Sequence, residues 1–330
     1  MIKQPWLSAI IPTYNGSQYL ADALDSVVVQ QDDDIECVVI DDGSTDDTLE
    51  IVKSYRDKLN IELITKARAG NWVANTNHAL SVAKGKYACF LHQDDLWLEG
   101  RLENLKNAIA FYPDASLYLH DAVFIDCKGK PLGLWQCPLS KERVVSLTEM
   151  KEKLLVQNFI AIPSPLFNRQ AALDVGTLNS ELWYTADWDF WLKLASLGDS
   201  YYIPKPLAAF RVHGDSQTIR RSSSIAEFRQ QMRLVVNKHL HTKPKSEVAK
   251  VAFFSTEVNT ALAAMVHGES PKLFKLGVDF LTLGPMGWRR YWQDSRIEER
   301  ISARLKAKLQ TRPRQSLQRV KDSQGAASQT

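Results

Sequence analysis

Short apolar runs that end in polar clusters recur through the first hundred residues, each parted from the next by a helix-like stretch. This rhythm limits the fold more than any other feature of the chain. Residues 7–11 stop at Pro12, 35–40 stop at Asp41-Asp42-Gly43-Ser44, 61–64 follow, and 87–91 run into His92-Gln93-Asp94-Asp95. Between them, Leu20, Ala23, Leu24, Val27 and Val28 share one helical face behind a Ser17 N-cap. Leu49, Ile51, Val52 and Tyr55 mark a second helix and residues 71–83 a third. Strand, helix, strand in this order requires crossover connections, so the predicted fold class is α/β with a mostly parallel sheet. Ligands of open α/β sheets bind outside the carboxyl ends of the strands. Polar residues collect at three such ends, at Thr13-Tyr14-Asn15, Asp41-Asp42 and Asp94-Asp95, which points to one shared cleft.

Beyond residue 115 the pattern is mixed. Residues 116–119 and 159–167 read as strands, and 187–197 as a helix with Trp188, Trp191, Leu192 and Ala195 inward. Past His213, residues 225–240, 246–266 and 295–309 repeat apolar side chains at helical spacing. The expected division is 1–215 as an α/β unit that carries the cleft, 216–318 as a helical region, and 319–330 as a disordered tail. At 45% hydrophobic and 24% charged, the 330 residues have an ordinary globular composition.

A net charge of +3 excludes polyanion binding by bulk charge, but residues 281–330 hold 11 Lys/Arg against 4 Asp/Glu. The four cysteines show no zinc-like spacing, and two lie within apolar runs, which suits a reducing compartment. The N-terminus lacks the pattern of a signal peptide, and no uncharged run is long enough to span a bilayer. The expectation is a cytoplasmic protein, with peripheral attachment at the inner face of the membrane as a further candidate.

Asp94 and Asp95 directly follow an apolar strand. Adjacent carboxylates repel, and two readings account for them: a hard divalent cation, Mg²⁺ or Mn²⁺, or an Asp95 N-cap for a helix starting near Leu98. Asp41-Asp42 can accept hydrogen bonds from a ribose or a base, while Ser44, Thr45 and Asp46 read better as a turn entering a helix. Neither GxGxxG nor GxxxxGK[ST] occurs, so a nucleotide here would have its phosphates held by metal and side chains.

Five segments in order, Ser8–Asn15, Val39–Asp46, Ala83–Tyr87, Phe90–Trp97 and Ala186–Leu192, together resemble a family 2 glycosyltransferase of the GT-A fold over residues 6–215. The resemblance implies inverting transfer of a sugar from a nucleoside diphosphate to an acceptor hydroxyl on a glycan or lipid-linked molecule. It places Pro12, Tyr14, Asn15, Asp41, Asp42, Asn77, Gln93, Asp94 and Arg211 around the nucleotide, with Tyr14 stacking on the base and Asp42 accepting from it. Asp94, Asp95 and His213 would hold a divalent metal, Mn²⁺ or Mg²⁺. Asp187 falls at the general base, although its position also suits an N-cap for the helix from Trp188; Asp189 would then favour the helix dipole. Arg211 and His213 lie two apart on an extended segment and so share a side.

Three positions depart from the family pattern: His92 stands for the first Asp of its DxD motif, Thr76 for an Arg before Asn77, and Ala186 for a Glu before the base. Gln93–Trp97 is similar to the variant among transferases of deoxyhexoses. Trp288-Arg-Arg-Tyr-Trp292 suits either an anionic membrane surface or a packed helix with a solvated face. No nucleic-acid recognition module accompanies the basic region. A sugar-1-phosphate nucleotidyltransferase would want a Gly-rich basic loop in place of Thr13–Gly16, and a non-catalytic nucleotide-sugar-binding module would not need Asp187.

Overall fold

The computed structural model describes residues 4–213, 224–240, 246–299, 301–302 and 306. Its first sheet has strand order β3-β2-β1-β4-β9, from β1 (Leu7–Thr13), β2 (Ile35–Asp41), β3 (Ile61–Thr65), β4 (Tyr87–Phe90) and β9 (Phe167–Asn168). The first four strands run parallel and β9 closes the edge antiparallel. β1 and β2 read as nearly continuous apolar runs because helices cover both faces. Alternation still sorts their side chains: Leu7, Ala9 and Ile11 pack with α1 (Leu20–Val28), whereas Ile10 packs with α3 (Trp72–Val82) on the other face. In α1, Leu20, Ala23, Leu24 and Val27 are buried at helical spacing, and each Leu contributes roughly 1.5–3 kcal/mol. A charge at Leu24 would break that face.

Register sets the site. Thr13 pairs with Asp41 and Ile10 with Phe90, so β1, β2 and β4 deliver their polar ends to one edge. At the opposite end Gly85 lies against β1: a Cβ there would fall 2.5 Å from Ser8 Oγ and 2.6 Å from its amide nitrogen. That close approach lets the Gly85 N–H donate to Ser8 Oγ at 2.8 Å.

A second sheet has the order β5-β10-β6-β7, from β5 (Leu96–Trp97), β6 (Tyr118–Ile125), β7 (Pro131–Trp135) and β10 (Ser200–Arg211), with β8 (Arg143–Val145) also on β10. The sequence pattern hides β10 because Pro204 and Pro206 interrupt it, and its pairing with β6 shifts register there. The 116–119 run extends to Ile125 as β6. The expected strand over 159–167 is a loop up to Leu166: Pro163 and Pro165 have no N–H for a ladder, and the Ser164 N–H turns back to Ala161 O at 2.9 Å.

Other boundaries differ for equally local reasons. Ser17 does not cap α1. Its N–H donates to Asp46 Oδ2 at 3.0 Å, and Tyr19 holds the cap position. α4 (Arg101–Phe111) begins after Gly100, whose φ of 74° only glycine takes freely, so Asp95 caps nothing. α7 (Ala186–Leu194) starts after Thr185, which puts Asp187 inside the first turn rather than at the cap. Asp189 is fully buried and joins Lys193, Lys238 and His239 instead of facing solvent.

The helices α8 (Ile225–His239) and α9 (Glu247–Val266) share the core of α5 (Leu147–Val156) and α7 through Phe228, Met232, Val248 and Ala252, and α10 (Leu273–Ser295) packs Tyr291 into a smaller cluster with Val156, Val251 and Phe254. α10 escapes the sequence pattern because Gly284, at φ 68°, and Pro285 kink it midway. In the Trp288–Trp292 segment, Tyr291 is buried against Phe254 and Arg290 pairs with Glu152 at 2.5 Å, while Arg289 and Trp292 face out. No helix among the described residues is long and apolar enough to cross a membrane. Residues 300, 303–305 and 307–309 of the helix expected over 295–309, and the 319–330 tail, lie outside the described residues.

Candidate functional site

The polar ends of β1, β2 and β4 open into a cleft of about 340 Å³. Pro12, Tyr14, Asp42, Gln93, Asp94 and Arg211 line one half of it, and Asp187 lines the other. Asn15, Asp41, Asn77, Asp95 and His213 do not line it, and each has a visible structural occupation. Asn15, at φ 46°, donates its N–H to Ser44 Oγ at 2.9 Å and accepts from Thr45 N–H at 2.9 Å, tying two loops together. Asp41 is 1% exposed and accepts from the Gly43 and Ser44 N–H groups, forming the turn after β2. Asn77 donates to Leu178 O at 2.8 Å and accepts the Leu178 N–H at 3.0 Å.

At the first strand end Gln93 works as a clamp. Its Oε1 accepts the Tyr14 N–H at 2.8 Å and its Nε2 donates to Tyr14 O at 3.2 Å. The clamp crosses Gly16, where a Cβ would fall 2.5 Å from Gln93 Oε1. Tyr14 is thereby presented to the cleft, with the Arg68 guanidinium 3.4 Å from its ring centroid. Asp42 accepts the Ala69 and Gly70 N–H groups at 2.9 and 2.8 Å and pairs with Arg68. Burial pushes the Asp42 carboxyl up, but these hydrogen bonds and the Arg68 charge outweigh it and hold the group below its usual value.

The acidic loop after β4 brings ligand atoms of His92, Asp94 and Asp95 within 4.8 Å of one another. His92 Nε2 and Asp95 Oδ2 are buried with no hydrogen-bond partner among the described residues. Such orphaned atoms on an imidazole and a carboxylate fit a divalent cation. Burial pushes the His92 pKa down, so the ring is neutral and able to ligate. Burial pushes both carboxyls up; at Asp95 the Asp94 charge adds to this and leaves it well up, while at Asp94 the hydrogen bond from His213 outweighs burial and holds the group down. A cation would relieve the repulsion between the two carboxylates.

Of the expected ligands Asp94, Asp95 and His213, the two carboxylates fall in this cluster beside His92, and His213 bonds Asp94 Oδ2 through Nε2 at 3.0 Å. Arg211 also serves the loop. Its N–H donates to Asp95 Oδ1 at 3.0 Å, its Nε to Asp94 O at 2.8 Å, and its remaining nitrogens reach Asp126 O and Asp22.

Across the cleft Asp187 sits in the first turn of α7, where the helix dipole favours a carboxylate. Asn158 Nδ2 donates to Asp187 Oδ2 at 2.9 Å, and Asn158 Oδ1 accepts the Ile160 N–H at 3.3 Å, which orients the amide. Around this carboxylate the wall is aromatic. Trp135 stacks on Phe124 at 4.9 Å and meets Phe210 edge-on at 5.2 Å, and Tyr184 meets Phe228 of α8 at 4.3 Å. Sequence reasoning missed Arg68, Asn158 and this wall. Arg68 follows β3, so the strand-end rule could have found it; the wall comes from segments too far apart in sequence for any local signal.

A parallel sheet with an acidic loop at its carboxyl edge, a second sheet beside it and a carboxylate facing both give the layout of a GT-A fold. Residues 8–175 match the family described as Glycosyl transferase family 2, and the chain belongs to that family. It is 31% identical over 218 residues to an uncharacterized glycosyltransferase of Rickettsia typhi, a match covering 65% of this chain and 66% of that protein. It is 30% identical over 231 residues to one of Rickettsia prowazekii, covering 69% of this chain and 70% of that protein.

It is also 37% identical over 125 residues to the Staphylococcus aureus poly(ribitol-phosphate) beta-N-acetylglucosaminyltransferase TarS, 37% of this chain and 21% of that one. Among solved structures, S. aureus TarS 1–349 superposes with a TM-score of 0.63 at 20% identity over 93% of both chains, and the same fragment is known in complex with UDP-GlcNAc. A mannosyltransferase from Pyrobaculum calidifontis in complex with GDP-Man and Mn²⁺ superposes with a TM-score of 0.51 at 19% identity, over 93% of this chain and 88% of that one. These likenesses establish the GT-A fold.

Proposed function

We propose that this chain is an inverting glycosyltransferase that moves a hexose or deoxyhexose from a nucleoside diphosphate to an acceptor hydroxyl during assembly of a surface glycan. One observation carries the reading: Tyr14 and Asp42, Asp94, and Asp187 open onto the same cleft. The base stacks on Tyr14 and donates to Asp42, and the diphosphate lies toward Asp94. His92, Asp94 and Asp95 would hold Mn²⁺ or Mg²⁺, which would supply charge neutralisation for the departing diphosphate. Asp187 takes the proton of the acceptor hydroxyl as that oxygen attacks the anomeric carbon in line, and Asn158 keeps the carboxylate oriented. Donor complexes of family-like folds, UDP-GlcNAc on TarS and GDP-Man with Mn²⁺ on the mannosyltransferase, support the donor class.

The α/β unit supplies the donor and base groups, and α8 and α9 close the acceptor side with Phe228, Met232 and Asn259. Leu273, Phe274, Val278 and Leu281 of α10 are exposed, and the chain beyond them is basic. Both features suit a peripheral site at the inner face of an anionic membrane, with a glycan or lipid-linked acceptor. The test is turnover of UDP-, GDP- and dTDP-sugars by the purified chain, with Mn²⁺, Mg²⁺ or EDTA and with lipid-linked and free glycan acceptors. One donor turned over with metal and lost in EDTA is the expected result. No donor bound under any of these conditions overturns the reading.

A further inference from the structure

We propose that the Arg68 side chain is a placeholder for the nucleobase, taking the stacking position on Tyr14 and the hydrogen-bond position on Asp42 so that base and side chain compete for one slot. The inference rests on the nucleotide end of the proposed function and deepens it. A guanidinium is a flat, delocalised group with N–H donors at its rim, as a base is. Its central carbon lies 3.4 Å from the Tyr14 ring centroid, the spacing of two stacked planar groups. Its Nη1 donates to Asp42 Oδ2, the acceptor expected to meet the base. Both features by which this cleft would recognise a base are thus engaged by a residue of the chain itself.

Two observations make the exchange feasible. Arg68 is 41% exposed on its side chain, and Gly70, at φ 71°, follows two residues later, so the guanidinium has a route outward into solvent. Asp42 does not depend on Arg68 for its place. The Ala69 and Gly70 N–H groups hold the carboxylate, whose side chain is only 4% exposed, wherever the arginine goes.

The placeholder also states which bases suit the slot. A group that replaces it must present an N–H to a carboxylate. Uracil, thymine and guanine do so with a ring N–H beside a carbonyl; at that ring position cytosine and adenine carry an unprotonated nitrogen, which repels a carboxylate and leaves only the exocyclic amino group beside it to donate.

Titration calorimetry of the full chain in Mn²⁺ with UDP, dTDP, GDP, CDP and ADP tests this, with Arg68→Ala, Arg68→Gln, Tyr14→Ala and Asp42→Asn as variants. A slot partly filled by its own side chain lowers apparent affinity by the fraction filled, so Arg68→Ala should bind the preferred nucleotide roughly three- to tenfold more tightly. Arg68→Gln, which keeps a polar side chain without the cation, should tighten it as well. CDP and ADP should remain at least tenfold weaker than the preferred ligand, about the discrimination of one mispaired buried acceptor. Weaker binding by Arg68→Ala would mean that the arginine touches the ligand, and unchanged binding that it does not obstruct the slot; either overturns the proposal while leaving the nucleotide site standing. Binding that persists undiminished in Tyr14→Ala and Asp42→Asn, or no binding by any form, would instead remove the nucleotide site and the placeholder together.

Discussion

The two halves of the cleft are built in opposite ways. The half that carries Tyr14, Asp42 and Asp94 is the edge of one parallel sheet, where register alone brings three strand ends together. The half that carries Asp187 is assembled from β7, the loop before β9, α7 and α8, and its members are joined by aromatic contacts and amide hydrogen bonds. A sheet edge can change only by altering the strands beneath it, so it suits a ligand part that stays constant, such as a nucleoside diphosphate. Loops and helices on a shared core can change side chains one at a time, which suits the part that varies, the acceptor.

Substitutions sharpen this contrast if each half responds separately. The largest effect is expected at Asp94→Asn, which takes a charge from the acidic cluster: donor turnover in Mn²⁺ should fall about a hundredfold, and donor affinity should fall with it.

Asp189→Asn, on the far side of α7 from the cleft, should cost stability rather than binding. Its carboxyl is pushed up by burial, but the hydrogen bonds from His239 and Lys238 and the charge of Lys193 outweigh this and bring it down to about 2. A depressed folded pKa contributes stability that is fully present above the ordinary value of 3.8 and is lost as pH falls from there through about 2. The contribution near neutral pH is about 2 kcal/mol, of which about half is lost by pH 3, measurable by urea unfolding at pH 7 against pH 3. An Asp189→Asn chain as stable as wild type at pH 7 would show that the buried ion cluster is neutral to stability, as such clusters can be.

His92→Ala should raise the Mn²⁺ concentration for half-maximal activity roughly tenfold while leaving the fold intact, since one ligand of the cluster is lost. The smallest effect belongs to the acceptor wall. Trp183 lines the cleft beside Tyr184, and Trp183→Ala should raise acceptor KM about fivefold and leave donor affinity unchanged, the scale of one lost aromatic contact. A donor effect of equal size would join the two halves into one site.

The same division explains what was legible beforehand. β1, β2, β3 and β4, their helices and the cluster of polar strand ends follow from period and punctuation within about twenty residues of one another. The second sheet was not legible, because Pro204 and Pro206 break the pattern of β10 and its partner β6 lies some eighty residues earlier. α10 was hidden by the Gly284–Pro285 kink. Motif resemblance named Asp94, Asp42 and Asp187, yet it could not show that Asp41 and Asn15 fasten loops, that Asn77 holds Leu178, or that Arg211 braces the acidic loop. Those roles depend on which atoms face the cleft, and spacing carries no such information.

The central claim is that the sheet edge binds the donor and that Asp187, on the other half, performs the proton transfer. Asp187→Asn, measured for donor affinity by calorimetry and for transfer under saturating donor and acceptor, separates the two directly. The account predicts donor affinity within about twofold of wild type and a turnover lower by about a thousandfold, the upper range for loss of a general base. Turnover kept within about tenfold would contradict it and move the proton acceptor elsewhere in the cleft.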